Sequence, residues 1–261
     1  MVSSRPLHKS PAMQPREKVE YQCRANLNLY DSPKCDTLAT QAAAGRHLRI
    51  VPLDPQRRER AGIEAIPVRL CEDDYPGWLK PEDGQYLEKV ATPYRAIARS
   101  REEIERHLAA ILAFTEGAKA TPNYYLWGGT LAPNYDCSGL MQAAFMNGGQ
   151  IWLPRDAYQQ EAFTEAIALK DLQPGDLVFF GERDKATHVG LYLGDGRYIH
   201  SSGKEGGRNG IGIDVLSAKG DRVSRFYFAQ LRGAGRVMAS YLPKKSGDRP
   251  ARTQNPSPGT P

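Results

Sequence analysis

No stretch of the sequence approaches the roughly 20 consecutive apolar residues that cross a bilayer, so no transmembrane helix is read. Met1 to Lys18 carries positive charge but no following apolar run of about 7 residues or more, so no secretory signal is read and the expected location is cytoplasmic. Cysteine is scarce: the four, Cys23, Cys35, Cys71 and Cys137, form no C-x-x-C pair and no regular spacing, which excludes a disulfide framework and a zinc ribbon. A basic binding face is missing too. The formal charge is +5, but residues 1–20 carry +2 and residues 243–261 carry +3, leaving residues 21–242 neutral. The basicity belongs to two Pro-rich ends that bury no core and are expected to be a disordered leader and tail, so no nucleic-acid partner is expected.

What remains divides into two domains. Residues 21–91 show short apolar alternations separated by turn signals: Leu27 and Leu29, then Leu48, Ile50 and Val51, then Ile66, Val68 and Leu70, then Tyr86, Leu87 and Val90. This spacing predicts a small β-barrel, with Pro52 to Gly62 as an exposed charged loop. At Ser100 the period changes. Ser100 and Glu103 form a capping box, and Ile104, Leu108, Ile111 and Leu112 follow at helical spacing, predicting a helix that ends near Gly117. A second helix is predicted over Cys137 to Met146, and strands over Leu177–Phe180, Thr187–Leu193 and Arg197–Ser201. Helices followed by an antiparallel sheet give an α+β domain over residues 92–242.

Cys137 stands at the predicted start of an apolar helix, where unpaired N–H groups favour a thiolate. A lone cysteine is also commonly a small buried hydrophobe, and Cys23, Cys35 and Cys71 are read that way. Among the histidines, His8, His47 and His107 read as solvated. His188 and His200 lie in two strands joined through Gly194-Asp195-Gly196. A three-residue loop of the glycine-bulge type puts His200 opposite Gly190 and His188 on the same face. It also gathers Val189, Leu191, Leu193 and Ile199 on the other face, as a core requires. A two-residue loop would pair His200 with Leu191 and separate the imidazoles. One cysteine and two histidines could also bind catalytic zinc, but the thiol's place at a helix start and the lack of a fourth ligand favour a metal-free nucleophile and base, with no cofactor.

The motifs Tyr125-Leu126-Trp127-Gly128-Gly129, Asp136-Cys137-Ser138-Gly139-Leu140, Leu172-Gln173-Pro174-Gly175-Asp176-Leu177, Thr187-His188-Val189-Gly190-Leu191-Tyr192 and Tyr198-Ile199-His200 resemble the NlpC-type cysteine peptidases, papain-like enzymes that cut peptidoglycan peptides. The front domain, through Leu27-Asn28-Leu29-Tyr30 and Cys71 to Leu79, resembles the bacterial SH3-like barrels of cyanobacterial-type γ-D-glutamyl-diamino acid endopeptidases. The resemblance implies a triad of Cys137, His188 and His200, with His188 as base and His200 orienting it. It implies an oxyanion site from the Cys137 N–H and the Tyr75 hydroxyl. It further implies a substrate site in which Trp127 takes part and Asp136, Ser138 and an acid beside Tyr75 (Glu72, Asp73 or Asp74) hold the ammonium of an N-terminal L-Ala. The implied substrate is a small murein tripeptide or tetrapeptide, L-Ala-γ-D-Glu-meso-diaminopimelate, cut by a monomeric enzyme that recycles wall peptides. Read from the residues alone, the alternative for Tyr75 and Trp78 is an aromatic patch packing the two domains together, and for Glu72 to Asp74 a solvated acidic loop. A thiol amidase or acyltransferase on the same fold, and a non-catalytic wall-fragment binder, are the rival classes.

Overall fold

The computed structural model describes residues 19–243; the expected leader and tail, apart from their innermost residues, and His8 lie outside the described residues. The front domain is one antiparallel sheet of seven strands: β1 (Tyr21–Cys23), β2 (Leu27–Tyr30), β3 (Leu38–Ala42), β4 (His47–Ile50), β5 (Ile66–Leu70), β6 (Pro76–Leu79) and β7 (Leu87–Lys89), in the order β3-β2-β6-β5-β4-β1-β7. Alternation explains its shape. Leu27, Leu29, Ala42, Leu48, Val68, Leu70 and Leu79 all point to one enclosed cluster, so the sheet curls around its own core. The stretch expected as a loop between β4 and β5 contains a short helix, α1 (Pro55–Arg60); proline, with its fixed φ, starts it.

The second domain opens with α2 (Arg101–Ala120), capped reciprocally by Ser100 and Glu103. It runs past Gly117 because the Gly117 carbonyl still accepts from the Thr121 N–H, and Pro122 then ends it. A small hairpin, β8 (Thr130–Leu131) and β9 (Asn134–Tyr135), leads into α3 (Cys137–Gly149) and α4 (Ala157–Phe163). Gly148 lets α2 and α3 touch: a Cβ there would lie 2.7 Å from the Ile111 backbone nitrogen. His107, expected to be solvated, is half-buried against Gly149 at this crossing.

The sheet beneath has six antiparallel strands, β10 (Glu165–Ile167), β11 (Leu177–Gly181), β12 (Ala186–Gly194), β13 (Arg197–Ser202), β14 (Gly210–Val215) and β15 (Leu231–Arg236), with α5 (Arg222–Phe228) before the last. Their order is β10-β15-β11-β12-β13-β14. Leu177, Phe179, Val189, Leu191 and Ile199 pack with α2 and α3, while Val178, Phe180 and Tyr198 pack with Val223 and Tyr227 of α5.

The two domains are tied by directional bonds. The Gln41 side-chain oxygen accepts from the N–H groups of Thr130 and Leu131, Gln142 donates to Asp73, and the Arg46 guanidinium lies 4.6 Å over the Trp152 ring. No described helix is long and apolar enough to cross a membrane.

Candidate active site

Asp136 is the N-cap of α3, its Oδ1 accepting from the Gly139 N–H at 2.6 Å, and this cap sets Cys137 at the first turn. Gly139 is required there, because any Cβ would collide with the Gly129 carbonyl. Cys137 is 6% exposed, and the backbone N–H groups of Val189 and Ser138 are directed at its sulfur. Val189 follows His188 in β12, so the first turn of α3 meets the sheet beside that histidine.

In the β12–β13 ladder Leu191 pairs with Ile199, which puts His200 opposite Gly190. The expected register is present, but another device makes it. The turn is the two-residue Asp195-Gly196, both at positive φ, and the odd residue is Leu193, bulged between the Tyr192 and Gly194 pairs. A two-residue turn plus one bulge gives the same offset as a three-residue loop.

The two imidazoles are bonded, His188 Nε2 to His200 Nδ1 at 2.6 Å, and His200 Nε2 lies 2.7 Å from Asp214 Oδ2. The other Asp214 oxygen accepts from Arg208 Nη2 at 2.7 Å. A carboxylate only accepts, so His200 carries its proton on Nε2 and presents a bare Nδ1. His188 therefore donates from Nε2, and its lone pair is on Nδ1.

Burial dominates the electrostatics of the site. Burial, then His200, holds the His188 pKa well below the usual value, and burial lowers His200 against the pull of Asp214. Burial raises the Asp214 pKa, but His200 and Arg208 outweigh it and hold it below the ordinary carboxylate value. Burial, with Asp136, pushes the Cys137 thiol up to about 12, against the Val189 and Ser138 N–H groups and Arg155. Desolvation thus opposes the thiolate that the helix terminus favours. Both shifts favour a neutral thiol beside a neutral imidazole, the pairing from which a general base acts as attack begins.

The expected substrate groups are differently employed. Arg155, 2% exposed, donates to both Asp136 oxygens at 3.2 and 2.5 Å, to Ser138 Oγ at 2.8 Å and to Thr40 of β3 at 2.9 Å. Asp136 and Ser138 are thus committed to a buried ion-pair network. Glu72 accepts from the His47 N–H and pairs with Arg46; Asp73 pairs with Arg46 and accepts from Gln142; Asp74 accepts from the Tyr241 hydroxyl. The solvated acidic loop is in fact a buried junction. The Tyr75 hydroxyl donates to Asp156 Oδ1 at 3.1 Å, so its one proton goes to Asp156 and not to an oxyanion. Burial, foremost, raises the Asp156 pKa even beside Arg155. Trp127, 60% exposed, is free at the surface of the loop before β8.

Cys23 and Cys71 are buried in the front domain, and Cys35, at φ +54°, is partly exposed. His47, expected to be solvated, packs against the Tyr94 ring at 5.9 Å. A cavity of about 480 Å³ between the front domain and α3 is lined by Arg46, Tyr94, Met146 and Trp152, and Cys137, His188 and His200 do not line it. Among the described residues no cluster of three or more side chains is disposed to hold a metal ion. Asp214, Arg155 and Asp156 were missed in the sequence. Asp214 alone left a trace, an acid in phase with Gly210 and Gly212, opposite Ile211 and Ile213.

A first-turn thiol beside paired imidazoles, on an antiparallel sheet behind a curled β-domain, defines the architecture of a papain-like cysteine peptidase. The comparisons make the assignment particular: residues 122–229 form a domain of the NlpC/P60 family, and residues 29–83 a bacterial dipeptidyl-peptidase SH3 domain. Three curated relatives are from Bacillus subtilis (strain 168). The "Bifunctional muramidase/DL-endopeptidase CwlT" is 34% identical over 48% of this chain and 40% of its own length. The "Gamma-DL-glutamyl hydrolase" is 42% identical over 31% of this chain and 20% of its own, and the "Gamma-D-glutamyl-L-lysine dipeptidyl-peptidase" 40% over 36% and 30%. The chain thus matches less than half the length of each.

Proposed function

We propose that the protein is a cysteine endopeptidase that hydrolyses the γ-D-glutamyl–meso-diaminopimelate bond of small murein peptides bearing a free N-terminal L-Ala. The observation that carries this reading is the bonded series His188, His200, Asp214 beside the buried thiol. His188 Nδ1 takes the Cys137 proton as sulfur attacks the γ-carbonyl, then gives it to the leaving amine; water, activated by the same nitrogen, releases the acyl group. The Cys137 N–H donates to the developing oxyanion.

Recognition of the amino terminus falls to Asp156. Glu72, Asp73 and Asp136 each form an ion pair with an arginine, whereas the Asp156 carboxylate accepts from the neutral Tyr75 hydroxyl and forms no ion pair among the described residues, its pKa raised foremost by burial. An ammonium supplies what it lacks. Kinetics of free and N-acetylated L-Ala-γ-D-Glu-meso-diaminopimelate with wild type and Asp156→Asn test this. Wild type is expected to prefer the free peptide by about 30-fold or more, as several kcal/mol of charge pairing implies, and the variant to lose the preference. Equal cleavage of both peptides by wild type would contradict free-amine selection.

A further inference from the structure

The face of His188 is covered by a residue that the reaction scheme leaves unused. Tyr227 of α5 stacks on the imidazole, ring centroids 4.2 Å apart and planes 24° apart. Tyr227 is itself fixed on several sides: its hydroxyl lies 2.7 Å from Ser202 Oγ, and its edge meets Phe180 at 62° and His200 at 88°. A Cβ at Gly206 would collide with the Tyr227 oxygen, so the loop after β13 is shaped around this hydroxyl. His200 holds one atom of the His188 ring but not its plane, and rotation about that bond would turn Nδ1 away from Cys137. The stacked ring removes this freedom.

We propose that Tyr227 is a positioning residue that clamps the plane of His188 and excludes water from its face. The proposal rests on the reading of His188 as the base. The rings against His188 are Phe180 from β11, His200 from β13 and Tyr227 from α5, with Asp214 and Arg208 beyond His200, and the thiol of Cys137 from α3 is held at the N–H of Val189, the next residue along β12.

The test compares Tyr227→Phe, which keeps the face and loses the hydroxyl, with Tyr227→Leu and Tyr227→Met, which lose the face. Should the Leu variant not fold, Met, unbranched and of similar reach, carries the comparison. Two readouts are taken: steady-state cleavage of L-Ala-γ-D-Glu-meso-diaminopimelate, and imidazole ¹⁵N NMR titration of His188, assigned with His188→Gln. Expected is kcat within about 3-fold of wild type for Phe, and about 10-fold or more lower for Leu and Met, with little change in KM. In the NMR titration His188 keeps its low pKa and single tautomer in wild type and Phe. In Leu and Met the pKa climbs toward the ordinary histidine value as water reaches the ring. Folded Leu and Met variants with unchanged kcat and titration would overturn the proposal, as would a Phe variant as impaired as Leu. If wild type cleaves nothing, the functional reading fails, while the titration still decides whether Tyr227 controls His188.

Discussion

Asp214→Asn changes one atom and should disable the base two residues away along the hydrogen-bond chain. Arg208 Nη2 donates to one Asp214 oxygen at 2.7 Å, so an asparagine there turns its carbonyl to Arg208 and its NH₂ toward His200. His200 Nε2 must then accept, its proton moves to Nδ1, and His188 Nε2, 2.6 Å away, must accept as well. The remaining His188 proton ends on Nδ1, where the thiol needs a lone pair. Restoring the productive tautomers costs at least one buried charge-assisted hydrogen bond, about 1.5–3 kcal/mol, or roughly 10- to 150-fold in rate. A fully locked wrong tautomer costs about 10⁴-fold in the serine-protease triad. The expected fall in kcat is about 10²- to 10⁴-fold, with KM within about 3-fold. Adding Arg208→Gln, which frees the amide to turn over, should recover part of the loss. Cleavage by Asp214→Asn within about 3-fold of wild type, or a ¹⁵N spectrum with a bare Nε2 on His200 in the wild type, would refute the reasoning.

Other outcomes follow from the same geometry. Arg155→Met leaves the Asp136 carboxylate buried without its cation and should cost about 3–5 kcal/mol in urea unfolding, much of it regained on adding Asp136→Asn; a single-variant loss below about 1 kcal/mol would contradict the network. Because folded His188 and His200 have lowered pKa values, the unfolded chain binds protons that the native one does not as pH drops below about 6.5. Stability should be full above that pH and fall by up to about 1.36 kcal/mol per pH unit for each histidine until the folded value is passed. Removing one histidine with His188→Gln should flatten that slope, and an unchanged slope would show that His188 is not its source. With its thiol up at about 12, Cys137 should react slowly with iodoacetamide near neutrality and faster as pH rises, and peptide mapping should find Cys35 labelled first without loss of cleavage. Rapid inactivation at pH 6 would indicate a preformed thiolate instead.

The parts of this site that were legible in the sequence are those written as local pattern. Val189, Leu191 and Ile199 had to share a face, and that requirement set the His188 and His200 register whichever turn closed the hairpin. The Ser100 and Asp136 caps are equally local. The misread residues are those whose meaning depends on a distant partner. Glu72 and Asp73 look like a solvated run until Arg46 is folded beneath them. Asp136 looks like a ligand for ammonium until Arg155, 19 residues on, takes both its oxygens. Tyr75 meets Asp156 across 81 residues, a contact no periodicity encodes. At the thiol the helix terminus could be read from the sequence, but the depth of burial that opposes it could not.

Those domain contacts also decide how specificity can be studied. Removing the front domain would strip Arg155 of Thr40, Asp156 of Tyr75 and Gln142 of Asp73, so single substitutions at the junction are more informative than truncation.

The most direct test of Cys137 acting as the nucleophile of a γ-D-glutamyl hydrolase is mass spectrometry of L-Ala-γ-D-Glu-meso-diaminopimelate incubated with wild type and with Cys137→Ala. The proposed function predicts L-Ala-D-Glu and free diaminopimelate with wild type and intact tripeptide with the variant. Intact tripeptide with the wild type, or the same two products from Cys137→Ala, would contradict it.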